Sequence, residues 1–183
     1  DPNNTFFTEG NGMLLFIDLN GNITSTVDIN PYMAQGYRIK NFNNELIISG
    51  LTEGANDFAL IKTNANGDIL WNKTFGENVS GNTAHHCFGL DVNSDGDIFL
   101  TGHTVSGVQN WDTYTMKIDN SGNQVWKKIQ GNPRGFNPKF IHDEAWGIKA
   151  TADGGCIVVA GTGDEYGRYN RRCGDNESSN TWR

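Results

Sequence analysis

No apolar run in the chain reaches the roughly 18 residues of a membrane-spanning helix, and no membrane partner is expected. Basic residues are outnumbered, 14 Lys and Arg against 21 Asp and Glu, and they never form a run. A net charge of −7 therefore lacks the basic footprint of a nucleic-acid partner. Apolar residues nowhere recur convincingly at the 3.6-residue period, so no helix is expected. Cysteine is scarce and odd in number: Cys87, Cys156 and Cys173 leave the redox compartment open. Cys87 and Cys156 sit among apolar strand residues, where a free thiol behaves as a small core hydrophobe. Only Cys173, in a polar loop, reads as a ligand or disulfide partner. No signal peptide is recognisable, although a start at Asp1 leads to the expectation of a processed or trimmed chain.

What the chain has in quantity is glycine, 23 residues, with many Asn and Thr and only 19% charged residues. That composition suits an all-β protein rich in turns. The stretch from His85 to Gln130 shows the plan most fully. CFGLDVN and DIFLTGHT are alternating runs joined by Ser94-Asp95-Gly96, and DTYTMKID and QVWKKIQ are joined by Asn120-Ser121-Gly122-Asn123. Period-2 alternation bounded by Asp-Gly and Ser-Gly marks hairpins, because glycine accepts the positive φ of tight turns. One such stretch is a four-stranded antiparallel unit, and shifted copies flank it. Residues 13–30 match a second half-unit, 37–75 a whole unit, 85–130 another, and 145–183 the start of a fourth. Gly50, Gly102 and Gly161 each close an apolar strand, at spacings of 52 and 59, while Gly67 and Gly122 precede Trp71 and Trp126 at a spacing of 55. Repeats of four short strands at about this period read as propeller blades.

GLDVNSDGDIFLTGHT followed by MKIDNSGNQVWKK resembles the bacterial β-propeller repeats that read GI.VD..GN.YVTG.T and then a strand ending in LW. The resemblance implies a β-propeller of four-stranded antiparallel blades. Two blades with half a blade at each end do not close a ring of four to eight, so the expectation is a fragment, or a ring completed by further chain or a second fragment.

Blade connections alternate between two faces of a disc. Turns at Asn43-Asn44, Asn66-Gly67, Asp95-Gly96, Ser121-Gly122 and Asp153-Gly154 are expected on one face, and the longer connections on the other. The second group carries His85, His86, His103 and His142, and the loop 163–179 with Tyr166, Arg168, Tyr169, Arg171 and Arg172. A face of imidazole, phenol and guanidinium groups, with no Ser-His-Asp order and no phosphate loop, suits an anionic sugar polymer. Cleaving a uronic acid glycoside by β-elimination needs a cation on the carboxylate, a base for the adjacent proton and an acid for the leaving oxygen. This set resembles the propeller-type ulvan lyases, secreted seven-bladed enzymes of marine bacteria. The resemblance implies a polysaccharide lyase with catalytic His86, His103, Tyr166 and Arg183, Arg172 being the second choice of arginine. It implies substrate contacts from His85, Trp111, His142, Tyr169, Arg171 and Arg172. The competing class is a non-catalytic carbohydrate-binding or protein-interaction propeller.

The lyase chemistry requires no cofactor, and a structural zinc or calcium stays open beside it. His142 and Cys173, with His85 or His86, offer zinc ligand types without the short spacing of a zinc motif. Asp91 to Asp97 begins like a calcium loop, but its twelfth position is Gly102, so a hairpin turn is the better reading. Asp143-Glu144 and Asp164-Glu165 could serve as paired glycosidase carboxylates, although such residues commonly cap turns. Trp71 and Trp126, at equivalent positions, are expected to pack between blades, and Trp111 to stack on sugar from a loop. Five Asn-x-Ser/Thr sequons, beginning at Asn3, Asn22, Asn72, Asn78 and Asn176, weakly favour a secreted or periplasmic protein.

Overall fold

The computed structural model describes residues 10–53, 57–76, 85–105, 111–131 and 141–164. Among them the chain is all β. Hairpin β1 (Met13–Ile17) and β2 (Ile23–Asp28) is followed by the four-stranded antiparallel sheet β3 (Gln35–Phe42), β4 (Glu45–Leu51), β5 (Phe58–Asn64) and β6 (Ile69–Phe75). A second antiparallel set holds β7 (His85–Val92), β8 (Ile98–Val105), β9 (Trp111–Ile118) and β10 (Gln124–Gln130). Hairpin β11 (Ile141–Ala150) and β12 (Cys156–Asp164) joins it through one parallel bridge, His142 to Trp111. Among the described residues no sheet closes on itself.

Five tight turns share one construction. At Asp18, Asn64, Asn93 and Asp119 the first residue's Oδ1 accepts the N–H groups two and four residues on, at 2.8–3.0 Å. Thr151 opens the fifth, its hydroxyl donating to Asp153. The fourth residue of each is a glycine with φ between +83° and +91°, a conformation that a Cβ disfavours. Asn43 and Asn44, both at positive φ, make the two-residue turn between β3 and β4. Asn93 to Asp97 is thus a hairpin turn, as its missing twelfth ligand suggests.

Each first strand of a unit carries a bulge opposite the second: between Gly36 and Arg38, Cys87 and Gly89, and Ala145 and Gly147. The residue left over is aromatic every time, Tyr37, Phe88 and Trp146. These three form a ladder across the units, Tyr37 meeting Phe88 edge to face at 5.4 Å and Phe88 stacking on Trp146 at 4.4 Å. The bulge also brings a carbonyl onto the facing strand. A Cβ on Gly50 would lie 1.8 Å from the Gln35 oxygen, and one on Gly102 1.7 Å from the His86 oxygen. Steric need therefore explains two of the glycine landmarks. The third differs by one residue: the ladder pairs Ala145 with Ala160, so Ala160 and not Gly161 is the equivalent position.

The core lies between successive units. Ile47, Leu51, Phe58 and Leu60 of the first sheet pack against Cys87, Leu90, Leu100, Tyr114, Met116 and Ile118 of the second. Leu14 and Val27 of the first hairpin cover Ile29, Met33, Ile48, Ala59 and Ile61. Burial on both faces makes the middle strands nearly continuous apolar runs. Trp71 is half-buried against this core between units, whereas Trp126 lies 6.3 Å from Phe99 of its own sheet.

Charges recur with the same period. Lys62 pairs with Glu45 at 2.5 Å and donates to Asn120 of the next unit at 2.7 Å, and its equivalent Lys117 pairs with Asp97 at 2.7 Å. Asp91 in β7 bonds three units together: Lys40 of β3 at 3.0 Å, Lys149 of β11 at 2.8 Å, and the Ala150 N–H at 2.9 Å. Burial alone would raise the Asp91 pKa, but the bonds from Lys149, Ala150 and Lys40 outweigh it and hold the carboxyl at about 2.

Candidate functional site

Imidazole and aromatic rings converge where β7, β8 and β9 run side by side, at the end opposite the tight turns. His86 and His103 are direct cross-strand partners in the ladder, and their rings meet through Nδ1 of His86 and Nε2 of His103 at 2.8 Å. One nitrogen donates and the other accepts, so the tautomers of the two rings are coupled. Trp111 lies over the pair, its ring centroid 4.1 Å from His103 and 5.2 Å from His86. Phe88 backs it at 5.1 Å from His103, linking the cluster to the aromatic ladder. His86 is 8% exposed and His103 2%, whereas Trp111 is half-buried and forms the cluster's outer edge.

Desolvation, reinforced by neighbouring His85, lowers the His86 pKa to about 4. His86 is consequently neutral at ordinary pH, the state in which an imidazole accepts a proton or a hydrogen bond.

The sequence places these residues in connections and at a loop, but the structure places them in strands. His85 and His86 open β7, His103 lies within β8, His142 within β11, and Trp111 begins β9. For His85 and His86 the physical reason is the bulge at Phe88, which shifts the phase of the alternation just after them. His85 points away from the pair. It is fully buried, bonded to the Thr104 hydroxyl at 2.5 Å and tilted against Tyr114 at 5.7 Å, in the core between units.

The remaining candidates divide by what is described. His142 has its backbone beside Trp111 through the parallel bridge, but its side chain is not among those described. Tyr166, Arg168, Tyr169, Arg171, Arg172, Cys173 and Arg183 lie outside the described residues, as does Glu165. Asp143 is buried in β11 and Glu144 half-buried beside it. Among the described residues no three His, Cys, Asp or Glu side chains gather as a metal site. Asp91, the first acid of the calcium-like run, is engaged with two lysines. Sequence reasoning missed Phe88 and Trp146. Their signal was an aromatic preceded by a small residue in each first strand, GYR, CFG and AWG.

No protein-family model matches the chain, and no curated protein matches it in sequence.

Proposed function

We propose that the chain is part of a secreted β-propeller polysaccharide lyase that cleaves an anionic, uronate-containing polymer such as ulvan by β-elimination. The observation that carries this reading is the His86–His103 pair with Trp111 laid over it: a neutral base, a hydrogen-bonded partner that fixes its tautomer, and an aromatic surface for a sugar ring. In the reaction the base takes the C5 proton, a C4–C5 double bond forms, and the C4–O bond breaks as the leaving oxygen gains a proton. Of the two adjacent histidines, His86 is the one whose ring meets His103, which supports giving it the role of base. Tyr166 is assigned the acid, and Arg183 or Arg172 the cation that neutralises the carboxylate, by resemblance. The propeller itself belongs to the same proposal, supported by the two antiparallel four-strand sets β3–β6 and β7–β10 packed face to face, with hairpin β1–β2 before them and hairpin β11–β12 bridged to the second.

Elimination leaves an unsaturated uronate that absorbs in the ultraviolet. Incubating the protein with ulvan should raise the absorbance, and His103→Ala should abolish the rise while far-ultraviolet circular dichroism stays that of the wild type. The acid limb of kcat/KM should fall near pH 4, where His86 protonates, and not near 6.5. No rise with ulvan or several other polyuronates would leave a carbohydrate-binding module as the reading.

A further inference from the structure

One rung of the second strand set differs in kind from its counterpart in the first sheet. Across β3 to β6, Gln35, Leu51, Phe58 and Phe75 stand directly opposite one another. Matching the bulges makes His86, His103, Thr113 and Gln130 the same rung across β7 to β10. Leu51 and Phe58 are fully buried, and Phe75 packs against the same core between the two sheets. In the second set, the last three apolar side chains have become an imidazole, a hydroxyl and an amide. Two residues along, Leu60 is replaced by Thr115, and Lys73 is kept as Lys128.

The exchange leaves a groove where the first interface has core. Thr113, Thr115, Trp126, Lys128 and Gln130 line one wall, and Cys156, Val158 and Ala160 of β12 line the other, around a volume of about 380 Å³. That is a size ordinary for a ligand site. The equivalent side chains of the first interface, Phe58, Leu60, Trp71 and Phe75 on one wall and Ile98 and Leu100 on the other, belong to a closed apolar cluster. A cover of that apolar kind would strip water from the Gln130 amide and offer it no hydrogen bond in return. The second groove is built for a polar occupant, and its wall starts on the rung that carries the histidine pair.

We infer that this groove binds the stretch of an anionic sugar chain adjoining the unit held at His86 and His103. The inference takes its polymer from the lyase reading and rests on it to that extent, but the groove residues are distinct from the base and its partner. Half-buried Trp126 offers an indole face to a sugar ring. Lys128 is the one charged residue among those described in the lining, so a carboxylate or sulfate meets a cation and no opposing carboxylate. The Thr113 hydroxyl donates to the Gln130 carbonyl at 2.7 Å and keeps its lone pairs for a sugar hydroxyl.

Cys156 reports directly on occupancy, because it lies in the groove wall with its thiol partly exposed, whereas Cys87 is fully buried. In a Cys173→Ser, His103→Ala background, which leaves the polymer uncut, alkylation of Cys156 by iodoacetamide is followed with ulvan, alginate or polygalacturonate present. One of these at saturation should slow the reaction roughly tenfold or more, and neutral dextran should not. In the otherwise wild-type enzyme, Lys128→Gln and Trp126→Ala should each raise KM for the cleaved polymer roughly fivefold or more with kcat nearly unchanged, the Lys128 effect shrinking as salt is added. Lys128 is exposed, so its variant reports on binding without disturbing the fold. Alkylation that none of the three polymers slows would overturn the inference, as would a normal KM in Lys128→Gln and Trp126→Ala together, and either result leaves an absorbance rise, and with it the lyase, standing. Protection of Cys156 without any absorbance rise would retain the groove as a sugar site and remove the lyase.

Discussion

Asp91 shows how much one side chain can hold. Its carboxylate is 2% exposed and meets lysines that sit mostly in water, so its removal strands no buried cation. Asp91→Asn should still cost about 1–3 kcal/mol at neutral pH, because charged hydrogen bonds to two lysines are lost. The acid behaviour follows from the direction of each shift. His86 has a folded-state pKa below its ordinary 6.5, so the unfolded chain binds the proton more readily and stability falls as pH drops from 6.5 towards 4. Asp91 also has a depressed pKa, and its contribution, present above 3.8, is lost as pH falls towards 2. Urea midpoints measured across this range should show both losses in the wild type and only the upper one in Asp91→Asn; an unchanged lower step would refute the clamp. Neither role was legible in sequence. The run around Asp91 looks like a metal loop because nothing local indicates that Lys40 and Lys149 arrive from other units. The histidine pair was visible as two residues, but their contact depends on the strand register.

At the scale of elements, turns were the easiest feature to read and strand ends the hardest. Asn-Gly, Asp-Gly and Ser-Gly pairs carry their conformation locally, and all the turns expected from them are present. Strand ends near His85, Trp111 and His142 were obscured because a bulge shifts the phase of the pattern and because imidazoles replace apolar residues in the ladder. The same bulge misleads at Gly161, which looks like Gly50 and Gly102 but is one residue out of step. Substitution separates them. Gly102→Ala forces a methyl against the His86 carbonyl and should cost about 1–3 kcal/mol. Gly161→Ala has nothing within 4 Å of its added carbon and should stay within about 0.5 kcal/mol of the wild type. Equal losses in urea denaturation would mean that the bulge does not set the glycine requirement.

For the molecule as a whole, stability comes from how units stack, since each sheet alone would expose one or both apolar faces. Phe88 is the residue most central to that stacking, in contact with Tyr37, Trp146 and the histidine cluster. Phe88→Ala should therefore cost about 3–5 kcal/mol, while Trp146→Ala, at the half-exposed end of the ladder, should cost less. Thermal unfolding followed by far-ultraviolet circular dichroism gives the comparison, and a larger loss at Trp146 would remove the ladder from the account. The order of units was legible because each repeats the same punctuation. The aromatic ladder was not, because its members are three different residue types. Tyr166 and the arginines lie outside the described residues, so half of the candidate site rests on sequence alone.

The five loops that begin at Asp18, Asn64, Asn93, Asp119 and Thr151 satisfy most of their polar groups within their own five residues. Such corners ask little of the rest of the protein beyond a glycine in the right place. One end of each hairpin accordingly depends on its own few residues, while the opposite end, where His86 meets His103 beneath an indole, depends on side chains delivered by three separate strands.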